Sequence, residues 1–141
     1  LQHAGCHFRA HTEVADKGTK FTSYLWEPEG KVAGNGKILS KEWMWNRLLF
    51  QLGGNWYSAT QFTSPNQPVE ELSWRIYGRF GFFFKKDLKQ GETQKLDYRF
   101  HIAPSEQPAL ESFPPQVSKD QETRWRAAAQ KAYGEFVKSL K

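Results

Sequence analysis

Residues Leu72–Ile102 read LSWRIYGRFGFFFKKDLKQGETQKLDYRFHI, and the alternation inside them decides the fold class. Leu72, Trp74, Ile76, Phe80, Phe82 and Phe84 share one parity in the first half, and Arg75, Tyr77 and Arg79 share the other. In the second half Leu96, Tyr98, Phe100 and Ile102 oppose Asp97, Arg99 and His101. A period of two is the spacing at which a strand sends its side chains to one face. A polar segment ending in Gln90-Gly91 separates the halves, so the stretch predicts two antiparallel strands joined by a loop. Such a pair buries an aromatic face and leaves a charged face open to solvent or ligand.

Upstream, residues 3–14 alternate in the same way. Ala4, Cys6, Phe8, Ala10 and Val14 form an apolar row, and His3, His7, Arg9, His11 and Glu13 a polar row opposite, predicting one half-buried strand. Asp16-Lys17-Gly18 reads as a turn, Phe21–Trp26 as extended chain stopped at Pro28, and Lys31–Lys41 as a loop. Glu42–Leu52 and Trp56–Phe62 read as strands around Gly53-Gly54-Asn55, residues that accept the positive φ of a tight hairpin. Met44, Leu48, Phe50 and Leu52 fall on one side of the first of these, with Trp43, Trp45, Arg47 and Gln51 mainly on the other. Pro65 and Pro68 then break the chain. Downstream, four prolines between Pro104 and Pro115 read as a surface linker. Ser118 with Gln121 has the form of a capping box, and Trp125, Ala129, Ala132, Phe136 and Leu140 recur at helical spacing, predicting a helix from about Lys119 to Ser139.

The expectation is an all-β protein, an antiparallel β-sandwich or jelly-roll-like sheet with one C-terminal α-helix. Residues 1–105 would form the β domain, 106–117 the Pro-rich linker and 118–141 the helix packed on the sheet. The chain has 141 residues, 38% hydrophobic and 16% aromatic, enough for one core. A formal charge of +5 permits an anionic partner, but the Lys and Arg are spread along the chain, which argues against nucleic acid. No apolar run reaches the roughly 20 residues of a membrane-spanning helix. The single Cys6 excludes an internal disulfide and a multi-thiolate zinc site. The chain opens on Leu1 and enters a patterned strand at once, which reads as a processed or truncated product.

Three kinds of chemistry are written in the polar rows. His3, His7 and His11 are candidate ligands of a divalent metal ion, although strand residues four apart lie roughly 13 Å from one another and imidazoles must converge to about 2.0 Å from a metal. Neighbouring strands would have to supply the other ligands. Arg9, Arg75, Tyr77 and Arg79 could converge to hold a carboxylate or sugar hydroxyls, with His7, His11 or Glu13 moving protons. Trp43 and Trp45, with Trp56 and Tyr57, are candidates for a sugar-stacking platform, although aromatics in strands more often belong to a core. The same charges could instead neutralise one another as exposed cross-strand pairs. No nucleophile elbow, phosphate loop or dinucleotide fingerprint is present.

Several short motifs in order, His3-Ala4-Gly5 to Phe8-Arg9-Ala10, Trp43–Leu52 with Gly53-Gly54, Ser64-Pro65-Asn66-Gln67-Pro68, Arg75 with Tyr77-Gly78-Arg79-Phe80-Gly81, and Tyr98-Arg99, resemble the bacterial methane oxygenase PmoA-like family, a domain of unknown function. The resemblance spans residues 2–105. It implies a β-sandwich that is periplasmic or secreted and encoded among genes for polysaccharide breakdown, with His3, Arg9, Asn66, Arg75, Tyr77 and Arg79 at the family's polar positions. Family members are about twice as long, so an N-terminal half would be missing here or supplied by another copy as a homo-oligomer; Cys6-His7 departs from the expected apolar residues. The expected function is therefore binding or processing of glycan fragments. The alternatives are a non-catalytic interaction module mating with a partner chain and a His-liganded, metal-dependent oxidoreductase; no reaction is specified by the residues.

Overall fold

Two antiparallel sheets and a long C-terminal helix make three layers in the computed structural model, which describes residues 5–28, 31–32, 36–68, 70–108 and 117–141. In chain order the elements are β1 (Gly5–Arg9), α1 (Thr12–Phe21), β2 (Thr22–Glu27), β3 (Lys31–Val32), β4 (Gly36–Ser40), β5 (Trp45–Leu52), β6 (Asn55–Thr63), β7 (Glu70–Arg75), β8 (Arg79–Phe84), β9 (Tyr98–Pro104) and α2 (Lys119–Lys138). One sheet runs β1-β8-β7-β4 and the other β3-β2-β5-β6-β9. The all-β sandwich with its C-terminal helix is thus the architecture.

The inner core lies between the sheets. Phe80, Phe82, Leu72 and Trp74 come from the four-stranded sheet and Tyr24, Trp26, Leu48, Phe50 and Ala59 from the five-stranded one. A second core lies on the other side of the five-stranded sheet, where Trp45, Leu49, Trp56 and Phe62 meet Trp125, Ala129, Tyr133 and Phe136 of α2. Coverage explains the sequence pattern. β2, β5 and β6 are buried on both faces and run nearly continuously through buried positions, whereas β1 and β4 alternate between exposed and half-buried residues.

α2 follows its local signals closely. Ser118 and Gln121 close both halves of the capping box, and Trp125, Ala129 and Phe136 are buried, while Leu140 lies beyond the helix and is exposed. The Gly53-Gly54 turn joins β5 to β6 in the expected hairpin. Of the Pro-rich linker, residues 109–116 lie outside the described residues.

Four expectations are corrected. The stretch Leu72–Ile102 does not form one hairpin. Its first half is itself a hairpin, β7 against β8, turned at Ile76-Tyr77-Gly78, and β9 lies in the other sheet beside β6. Gly78 makes that turn at φ +76, and an added Cβ would stand 2.7 Å from Ala10 Cβ. The turn keeps parity, so Trp74 before it and Phe80 after it still face inward and the alternation runs through unbroken. The predicted 3–14 strand ends at Arg9, because Ala10 N donates to Gly78 O at 2.9 Å and the chain then winds into α1. The expected turn at residues 16–18 lies inside that helix. Residues 31–41 are not all loop, since they include β3 and β4.

Candidate functional site

Three arginines meet on the outer face of the four-stranded sheet. Arg9 on β1 is the register partner of Arg79 on β8, and Arg79 is the register partner of Arg75 on β7. The glycine at 81 lets these strands approach, since an added Cβ there would fall 2.5 Å from His7 Cβ and 2.6 Å from Cys6 O. The turn between Arg75 and Arg79 is pinned from the other sheet, where the Tyr24 hydroxyl donates to Arg75 O and Thr22 Oγ1 donates to Ile76 O at 2.8 Å.

The guanidiniums of Arg75 and Arg79 are held by neutral groups. Arg75 Nη1 donates to Trp74 O at 2.7 Å, Gly36 O at 3.3 Å and Ser73 Oγ at 3.4 Å. Arg79 Cζ lies 5.4 Å from the ring centroid of Phe83, whose ring also stands 5.8 Å from that of His7. Among the described residues none of Arg9, Arg75 and Arg79 forms an ion pair, and Glu71 on the same face is already shared by Lys37 and Lys85, each at 3.3 Å. The lysines beside it hold the Glu71 carboxyl below its ordinary range against the opposing effect of burial. The face is strongly cationic.

His7 therefore joins Arg9, Arg75 and Arg79, with Tyr77 in the turn between the last two. The other predicted residues are elsewhere. His11 caps α1, its Nδ1 accepting from Glu13 N at 3.2 Å, and Glu13 Oε1 accepts from Gly53 N at 3.2 Å. Both leave the His7–Arg9 row because the strand has ended. Asn66 is exposed in the turn before β7, at the opposite end of that strand from Arg75. His3 lies outside the described residues. Among the described residues no three His, Cys, Asp or Glu side chains are grouped to hold a metal ion. Trp43 and Trp45 are 4% and 1% exposed and belong to the two different cores, so their faces are taken by packing and offer no stacking platform.

Two polar clusters escaped the sequence reading. Glu70, 1% exposed, accepts from Thr63 Oγ1 at 2.7 Å, from Gln67 Nε2 at 3.3 Å and from the Tyr98 hydroxyl, tying β7 to β6 and β9 across the sandwich. Burial raises its carboxyl above the ordinary range, outweighing the bonds from Tyr98 and Thr63. Arg47, 8% exposed on the α2 side of β5, stacks its guanidinium 4.5 Å from the Trp125 ring centroid. An acidic residue opening an apolar strand and an arginine within a buried one are the only sequence signals for either cluster.

No family model, no curated protein and no solved structure matches this chain. Among the described residues no helix is long and apolar enough to cross a membrane.

Proposed function

We propose that this chain is a carbohydrate-active protein that takes glycan fragments on the outer face of its four-stranded sheet, in the periplasm or outside the cell. The observation that carries the reading is the in-register row Arg9, Arg79, Arg75 without an ion-pair partner among the described residues. Like charges directly opposite one another on a sheet destabilise it, so a row of three is better explained by a ligand than by the fold. Guanidinium forks match sugar hydroxyls and uronic carboxylates with paired hydrogen bonds, and Arg75, already fixed by three acceptors, needs little ordering to do so. His7 beside the row is the candidate proton-transferring group. The order of motifs that resembles the PmoA-like proteins points the same way.

Glycan-array binding with the purified chain, with and without added divalent metal, tests this. Binding that disappears in the Arg75→Ala/Arg79→Ala double variant, with an unchanged circular-dichroism spectrum, is the expected result. Absence of binding to every sugar under both conditions overturns it.

A further inference from the structure

On the opposite side of the sandwich, α2 leaves a cleft of about 280 Å³ against the outer face of the five-stranded sheet. Arg47 forms its charged wall, Trp125 lies under the guanidinium, and Ser58, Thr60, Ser105 and His101 supply polar groups around them. A guanidinium carries five N–H donors. Here Nη2 donates to Ser105 Oγ at 3.2 Å, and among the described residues the buried Nε has no acceptor and no carboxylate pairs with Arg47. The nearby Glu106 is spent elsewhere, accepting from Arg124 Nη2 at 2.8 Å and Gln121 Nε2 at 3.4 Å. Burial pulls the Arg47 guanidinium down to about 10, the mark of a cation removed from water without a full counter-charge. A buried charge left so poorly paired detracts from stability, and apolar replacement of such groups is often neutral or favourable.

We infer that this cleft binds a small organic carboxylate through Arg47. Among the described residues Arg47 is the only fixed cation on the lining, and the acidic Glu106 borders it, so the charge balance suits a monoanion better than a phosphate dianion. The fork geometry of arginine fits the two oxygens of a carboxylate. Phe62, Ala129 and Ala132 on the remaining wall give the organic part of the ligand an apolar surface. The site lies on the other face of the molecule from the arginine row and stands independently of the glycan reading.

The test follows the Trp125 indole resonance by NMR while glucuronate, benzoate, inorganic phosphate or neutral methyl glucoside is added to the full chain. Saturable shifts with a carboxylate, at least tenfold weaker in Arg47→Met, are expected, with phosphate and the neutral sugar inert. Ala128→Trp, which fills the cleft from the exposed side of α2, should abolish the shifts while leaving the circular-dichroism spectrum intact, and Lys131→Ala, which removes one positive charge away from the cleft, should leave them unchanged. No shift with either carboxylate overturns the inference. So does equal binding by Arg47→Met and Ala128→Trp, or a response to phosphate alone.

Discussion

Arg9 and Arg79 stand directly opposite one another on β1 and β8, two cationic residues in one register with no ion pair to either among the described residues. The fold therefore carries a local repulsion that a ligand would relieve. Replacing the exposed Arg9 with Gln is expected to raise stability by about 0.2–1 kcal/mol at low ionic strength. The gain should shrink toward zero near 1 M salt, where screening acts over only about 3 Å. Urea melts at the two salt concentrations measure it, and a loss of stability at low salt would contradict the repulsion.

Gly81 sets how near β1 can come to β8. Gly81→Ala puts a methyl group 2.5 Å from His7 Cβ, so the edge strand has to move outward. A loss of about 1–3 kcal/mol is expected from such overpacking. Faster hydrogen exchange confined to β1, together with weaker glycan binding as Arg9 leaves the row, is the accompanying signature.

Glu70 makes stability depend on pH in a defined direction. Its carboxyl titrates above the ordinary carboxylate range in the folded chain, so between the two values the folded state holds the proton and the unfolded state does not. Stability from this group is fully present below the unfolded value and is lost as pH rises through the folded one. Glu70→Gln cannot titrate. The wild type should therefore lose stability relative to Glu70→Gln as pH climbs through that window, and parallel curves in denaturant melts would refute the shift.

The helix layer contributes stability through few residues. Phe136 is 3% exposed, with its ring centroid 6.1 Å from that of Phe62. Phe136→Ala should cost about 3–5 kcal/mol, whereas Ser118→Ala, which removes only the cap, should cost about 1 kcal/mol. Thermal unfolding of the two variants gives the comparison; equal losses would mean that α2 is not docked through Phe136.

Much of this architecture was legible because burial writes itself into spacing. The alternation of Phe8, Phe80 and Phe82 gave the inward face of the four-stranded sheet, and the Trp125–Phe136 stripe with Ser118 gave α2. Pairing was less legible, since alternation reports which side a residue faces and not which strand lies beside it. The turn at Ile76-Tyr77-Gly78 preserves parity, so it leaves no break in the pattern, and β9 looks like the sheet partner of a strand that it meets only across the core, through contacts such as Phe100 with Phe80. α1 was hidden for a related reason: Ala10 and Val14 satisfy a period of two as well as they satisfy a helix that starts between them. The convergence of Arg9, Arg75 and Arg79 could be anticipated from shared parity. The Arg47 cleft could not, because it exists only where a helix distant in sequence lies down over β5.

The five-stranded sheet is clad on both sides, while no described element covers the outer side of the four-stranded one. Amide protons of β5 and β6 should accordingly outlast those of β1 and β8 in exchange experiments, with β1 and β4 as the first strands to detach. The surface that would meet a sugar is thus the looser half of the molecule. A sugar lodged across Arg9, Arg79 and Arg75 would bridge three neighbouring strands at once and slow their opening, so occupancy could be read from the breathing of that sheet without labelling the ligand.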